Sequence, residues 1–269
     1  MNLRGRTAII TGAASGIGRA LSISLATRGC HLALADLNEA GLAETAALAS
    51  TPGVHITQHR LDVGSAEAIT AFPDAFLKQH PSLDLLVNNA GVAIGGDFEQ
   101  IDPVDFEWLF AINFWGVVRM TAAFMPLLRA SPDARIVNLS SIFGLIAPPG
   151  QTAYVAAKFA VRGFSESLRH ELEGSAIGVT VVHPGGVATS IAKNARPPKV
   201  NSDVERERRQ RAAAALMRLA PGIAGETIVK GIERRKARIL VGGDAQVVAA
   251  LERIAPVSNW AIIKRLTKT

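Results

Sequence analysis

Short runs rich in Val, Ile and Leu recur along the chain at 7–11, 32–35, 54–61, 83–88, 135–140, 178–183 and 238–241. Between them the apolar positions shift to helical spacing, which predicts helices near 16–28, 38–49, 65–80, 103–130, 152–173 and 222–236. Strands that are apolar throughout, rather than alternating, are buried on both faces. With a helix between each pair, they read as βαβ units of a parallel sheet. Seven strands and at least six helices in one succession predict an α/β fold. The sheet is expected to be doubly wound with helices on both faces, over 1–269 as a single domain.

Two stretches depart from the alternation. Residues 189–220 hold Pro197, Pro198 and the charged run Asp203–Arg211 ahead of Ala212–Leu219. Following the sixth strand, at the end where parallel sheets bind ligands, this stretch is predicted to act as a substrate lid. Past the last strand, 244–269 is a C-terminal extension. Ala245–Ile254 reads as a helix, Pro256 breaks it, and Trp260, Ile262, Ile263 and Leu266 then sit beside Lys264, Arg265 and Lys268. Such an apolar cluster needs a cover: its own subunit, a second subunit or an anionic membrane surface. The longest uncharged stretches, 136–157 and 174–192, are broken by Asn138, Pro148, Pro149, His183 and Pro184, so no transmembrane span is expected.

Composition narrows the class. At 48% hydrophobic and 19% charged, the chain is too apolar for a disordered protein. A single cysteine, Cys30, excludes a disulfide framework and a cysteine-based zinc cluster, and suits a cytoplasmic protein. The net charge of +6 is concentrated toward the C-terminus. Residues 196–211 contain no Phe, Tyr or Trp, so a solvated basic face is expected there rather than a nucleic-acid platform.

Chemistry first surfaces in Thr11-Gly12-Ala13-Ala14-Ser15-Gly16-Ile17-Gly18. It follows a predicted strand and opens a predicted helix. There, glycines let the backbone turn and approach a diphosphate, while the helix start offers free N–H groups. Asp36 ends the second apolar run, 18 residues beyond Gly18. A carboxylate there accepts hydrogen bonds from ribose hydroxyls and repels a 2′-phosphate, which favours NAD over NADP. The competing reading is a turn or capping aspartate ahead of Asn38. Tyr154, the only tyrosine, precedes Lys158 by four residues, so both share one helix face. A phenol titrates near ~10, and a nearby positive charge is what would make it an acid/base at neutral pH.

Taken in order, Thr11-Gly-x3-Gly-x-Gly18, Asp62-Val63, Asn88-Asn89-Ala90-Gly91, Ser141, Tyr154-x3-Lys158 and Pro184-Gly185 resemble the short-chain dehydrogenase/reductase family. The resemblance implies a three-layer Rossmann-type fold with cofactor and substrate in one domain. It further implies that Tyr154 is the general acid/base, that Lys158 lowers its pKa and holds the nicotinamide ribose, and that Ser141 orients the substrate carbonyl. Ser140 is the competitor for that last role, set against it by strand alternation. Asn113 resembles the helix asparagine that holds a relay water. By the same resemblance Gly12, Ser15, Gly16, Ile17 and Gly18 take the diphosphate. Asn89 and Gly91 lie along the adenosine and its ribose, Asp62 and Val63 flank the adenine, Thr189 hydrogen-bonds the carboxamide, and Ala90, Pro184, Gly185 and Val187 are further cofactor contacts.

Substrate contacts are expected from Ser141, Phe143, Gln151 and Tyr154, with Ala93, Ile94, Pro148, Pro149, Val187 and Ile191 around them. That apolar set points to an uncharged, lipophilic secondary alcohol or ketone, unless the arginine-rich lid supplies a cation. Alternatives are an NADPH-dependent reductase of 3-oxoacyl thioesters, opposed by Asp36, and a non-catalytic nucleotide sensor, opposed by the complete set Asn113, Ser141, Tyr154 and Lys158. Family members are commonly dimers or tetramers, so a homo-oligomer is expected. The six histidines show no ligand spacing; His55 and His59 in particular read as surface and edge residues, and no metal is predicted.

Overall fold

The structure, a computed structural model, describes residues 1–199 and 216–267. Seven parallel strands form one sheet: β1 Thr7–Thr11, β2 His31–Asp36, β3 Ile56–Arg60, β4 Leu85–Asn88, β5 Ala134–Leu139, β6 Ile177–Pro184 and β7 Arg238–Val241. Their order is β3-β2-β1-β4-β5-β6-β7. The winding reverses between β1 and β4. Neither βα connection crosses that gap, so a crevice opens at the carboxyl ends of these two strands.

The apolar strands serve two cores because neighbouring residues point to opposite faces. Ile10, Leu34, Val87 and Val137 pack with Leu21 and Leu25 of α1 (Gly16–Ala26), Leu42 of α2 (Glu39–Leu48) and Ile228 of α7 (Pro221–Glu233). On the other face Ile9, Leu86 and Ile136 pack with Phe72 and Phe76 of α3 (Ala66–Leu77) and with Met120 and Phe124 of α5 (Gly116–Ala130). Helix α6 (Thr152–Glu171) covers β6, and α8 (Gly243–Ile254) and α9 (Asn259–Thr267) complete the described chain.

The helix expected over 103–130 is interrupted. Helix α4 (Pro103–Phe110) passes into a π turn at Ala111–Trp115, where the Gly116 N–H bonds the Ala111 carbonyl, before α5 resumes. Gly116 is needed at that join, since a Cβ there would lie 2.8 Å from the Val63 carbonyl oxygen. The same run bears on the membrane expectation. By length and apolarity alone Pro103–Ala130 meets the requirement for a span, with mean hydropathy 1.3. Val117, Met120, Phe124 and Leu128 of this run are buried in the fold, while Val104 and Trp115 are exposed.

His55 is exposed and His59 half-buried on β3, while His80 and His183 are 2% and 0% exposed. Most of the lid expected at 189–220, with its charged run, lies outside the described residues.

Candidate active site

The glycine-rich turn lies in the crevice between β1 and β4. Gly12 adopts φ +66°, and a Cβ there would come within 2.8 Å of the Ala90 Cα. A Cβ on Gly18 would lie 2.1 Å from the Gly12 carbonyl oxygen. Bare backbone is therefore required here, and it forms a cradle over the start of α1. Ser15 is the extended residue before the helix, exposed, and its hydroxyl caps nothing, so the first-turn N–H groups have no side-chain partner. Free donors at the positive end of a helix, within a glycine cradle, fit a diphosphate. Ile17 packs its side chain against the core and offers the ligand side its backbone.

Asp36 is tied to both flanks of this turn. Its Oδ2 accepts from the Ala14 N–H at 3.1 Å and its Oδ1 from the Asn38 N–H at 3.0 Å. The cap of α2 is Asn38, which accepts from Gly41 N–H at 3.0 Å. Asp36 thus holds the loop and stays half-exposed at the mouth of the crevice. Asp62 accepts from the Gly64 N–H at 2.8 Å, beside the nearly buried Val63.

Asn89 also has a structural task. Its amide nitrogen donates to the Thr11 and Gly12 carbonyls, at 2.9 and 3.1 Å, so the side chain pins the cradle. Ala90 N–H donates to Thr11 Oγ1 at 3.1 Å. Gly91 faces the next group, since a Cβ there would lie 3.2 Å from Asn113 Oδ1 and 3.6 Å from Lys158 Nζ.

At the end of β5 alternation separates two adjacent serines. Ser140, buried, donates to the Lys158 carbonyl at 2.8 Å and braces α6. Ser141 turns the other way: its hydroxyl accepts from the Phe143 N–H at 3.1 Å and bonds Tyr154. Lys158 Nζ donates to the Leu139 carbonyl at 2.9 Å and lies 5.5 Å from the Tyr154 ring centroid. Burial pushes the Tyr154 phenol up to about 12, with the Ser141 bond acting against it, and pulls the Lys158 ammonium down to about 8. In the protein alone the expected lowering of Tyr154 is therefore absent, because desolvation outweighs the hydrogen bond. At neutral pH the phenol carries its proton.

Asn113 is wholly buried inside the π turn. Its amide donates to the Val92 carbonyl at 2.9 Å and accepts from the Val92 N–H at 2.8 Å. Both side-chain groups bond the loop after β4, which fixes the Asn113 amide in place.

Around this centre, Phe143 packs edge-on to Tyr154 at 6.3 Å, and Gln151 immediately precedes α6. Ile94 does not line the space: it is 1% exposed in a cluster with Ile101, Leu109, Ala153 and Ala157. Val187 is buried and pairs with Leu219, while Thr189 sets its methyl 3.1 Å from the Cβ position of Gly16. Arg196 stacks over Trp108 at 3.4 Å and pairs with Asp105, and Lys199 pairs with Asp102 at 2.7 Å.

Two supporting residues escaped the sequence reading. His183 Nδ1 lies 2.9 Å from the Ser141 carbonyl oxygen; only a protonated Nδ1 bonds a carbonyl, so Nε2 is the bare nitrogen, buried without a partner. Burial lowers this imidazole to about 4. Asp244 of α8 accepts from the Gly186 N–H at 2.7 Å, and a Cβ on Gly185 would lie 2.1 Å from its carboxylate. The one available signal was His183 directly before Pro184-Gly185; Asp244 had none.

The sequence profile of the short chain dehydrogenase family matches residues 6–200. An oxidoreductase named SadH, from Mycobacterium tuberculosis, is 44% identical over 268 residues, covering 97% of this chain and 95% of its own. The crystal structure of a short chain dehydrogenase/reductase from Burkholderia phymatum in complex with NAD superposes with TM-score 0.87 at 30% identity, covering 94% of each chain. A metagenomic short-chain oxidoreductase in complex with NADP gives TM-score 0.72 at 26% identity, over 90% of this chain and 98% of that one.

Proposed function

The chain belongs to the short-chain dehydrogenase/reductase family, and from that premise we propose that it interconverts an uncharged, lipophilic secondary alcohol and its ketone with NAD(H). The observation that carries this reading is the juxtaposition of Ser141, Tyr154 and Lys158 beside the glycine cradle. Ser141 donates to the substrate oxygen and fixes its position. Tyr154 exchanges a proton with that same oxygen, giving it in reduction and taking it in oxidation. Because its phenol is protonated at neutral pH in the protein alone, oxidation calls for added positive charge nearby, from Lys158 and from the oxidised cofactor. Asn113 and Lys158 complete the path to solvent.

Gly12, Ser15, Gly16, Ile17 and Gly18 would hold the diphosphate, with Asp36 on the adenosine ribose and Lys158 on the nicotinamide ribose. When bound, the nicotinamide supplies the redox chemistry. NAD is favoured over NADP because Asp36 presents a carboxylate where a 2′-phosphate would sit. The apolar character of the substrate rests on Phe143 beside Tyr154 and on the engagement of Arg196 and Lys199 elsewhere. A homo-oligomer in the cytoplasm is part of the same reading.

The test follows nicotinamide absorbance across sterols, aliphatic alcohols, sugars and hydroxy acids with each cofactor. Turnover of lipophilic alcohols with NAD supports the proposal. Turnover confined to hydroxy acids, or to NADP, overturns it.

A further inference from the structure

The end of the sheet opposite the site holds a second polar depression, of 370 Å³, whose lining includes Arg135, Arg169, Arg235, Asp133, Glu173 and Gly178. Arg135 stands at the start of β5 and is 6% exposed. Its Nη1 donates to Thr180 Oγ1 at 2.8 Å, and no carboxylate among the described residues lies within 4.0 Å of it. A buried cation without a counter-charge is costly, and sequences rarely keep one without a partner. Opposite it in register, β6 places Gly178, where a Cβ would lie 2.5 Å from the Arg135 Nη2. A glycine inside a central strand weakens it and often marks a close approach. Here it makes room for the guanidinium.

A second feature of the rim points the same way. Arg235 follows α7 with φ +54°, the sole non-glycine residue with positive φ among those described. The helix ends with the Arg235 N–H on the Ile232 carbonyl at 2.9 Å and the Lys236 N–H on the Gly231 carbonyl at 3.0 Å. Glycine is the favoured residue at that position, so an arginine accepts backbone strain there. The strained residue carries its guanidinium to the same depression, where it pairs with Asp133 at 2.6 Å. With that pair neutralised, Arg135 and Arg169 face Glu173 alone, which leaves the depression net positive.

We propose that this depression is a binding site for a small phosphate-bearing anion, with the buried Arg135 guanidinium as its anchor and Arg169 and Arg235 at its rim. Planar guanidinium donors match phosphate oxygens in paired hydrogen bonds. The bound anion supplies the counter-charge that Arg135 lacks. The site is independent of the dehydrogenase reading, since it lies at the opposite end of β5 from Ser141.

The experiment titrates inorganic phosphate into the full-length protein saturated with NAD, by calorimetry at constant ionic strength with chloride as the reference salt. One saturable phosphate per chain is expected. Arg135→Gln should weaken it at least tenfold. Arg235→Gln and Gly178→Ala, the latter by displacing the guanidinium, should weaken it several-fold, whereas Arg196→Gln leaves it unchanged. If Arg135→Gln does not fold, the other two variants decide. Absence of saturable binding overturns the proposal. So does phosphate binding that survives all three substitutions, as an ion held at the start of α1 would.

Discussion

The side chain of Asn113 and the backbone of Val92 form a closed two-bond ring, amide to carbonyl at 2.9 Å and N–H to amide oxygen at 2.8 Å. The ring fastens the π turn to the loop after β4, and with it the wall on which Gly91 faces Lys158. Asn113→Ala leaves both Val92 groups without their partner, at a cost of about 1–3 kcal/mol. Urea unfolding should show that loss together with reduced turnover. Full stability in the alanine variant would show that the ring is dispensable.

Tyr154→Phe removes the exchangeable proton and keeps the ring against Phe143. Turnover should fall by orders of magnitude, with cofactor affinity little changed. A phenylalanine variant as active as the parent on the best substrate would refute the proton path.

Asp36→Ala is expected to weaken NAD binding roughly tenfold to a hundredfold, from the loss of charged hydrogen bonds of about 1.5–3 kcal/mol. The variant also frees the Ala14 and Asn38 N–H groups, so some of the loss reflects a looser cradle. NADP binding should hold or rise, because the repulsion goes with the carboxylate. Fluorescence titration of both cofactors separates the two contributions. Tighter binding of NADP than NAD by the unaltered protein defeats the assignment.

His183 titrates near 4 in the folded protein because it is buried, against about 6.5 in an unfolded chain. Between those values the unfolded chain binds the extra proton, so stability rises with pH through the window and is lost as pH falls from 6.5 toward 4. The slope from this residue reaches at most about 1.4 kcal/mol per pH unit. Its imidazole must stay neutral for Nε2 to remain buried without a partner. Urea midpoints measured across this range should flatten in His183→Gln; an unchanged slope would assign the acid sensitivity elsewhere, with His80, also lowered to about 4, next in line.

In the C-terminal extension Trp260, Ile262 and Ile263 of the expected apolar cluster are half-buried against their own subunit, whereas Ile254 and Val257 are 83% and 96% exposed. Deleting 256–269 should leave NAD binding intact and lower either the oligomer mass or the substrate affinity. Unchanged light-scattering mass together with unchanged kinetics would show that the tail does neither.

Local pattern alone determined the parallel sheet, since strands buried on both faces are apolar at most positions, and a helix between each pair leaves parallel pairing as the economical arrangement. Gly12 and Gly18 were legible for a related reason: a turn that forbids a Cβ leaves its mark in the sequence. Tyr154 and Lys158 were legible because one helix turn fixes their shared face. Contacts between distant segments wrote no such mark. That Asn89 pins the cradle, that Asn113 spends its amide on Val92, and that Ile94 turns into a core were decided only when the strand ends and loops packed together. The Tyr154 phenol lies high rather than low for the same reason: its pKa follows from burial, which the covering elements set jointly and no single stretch of residues encodes.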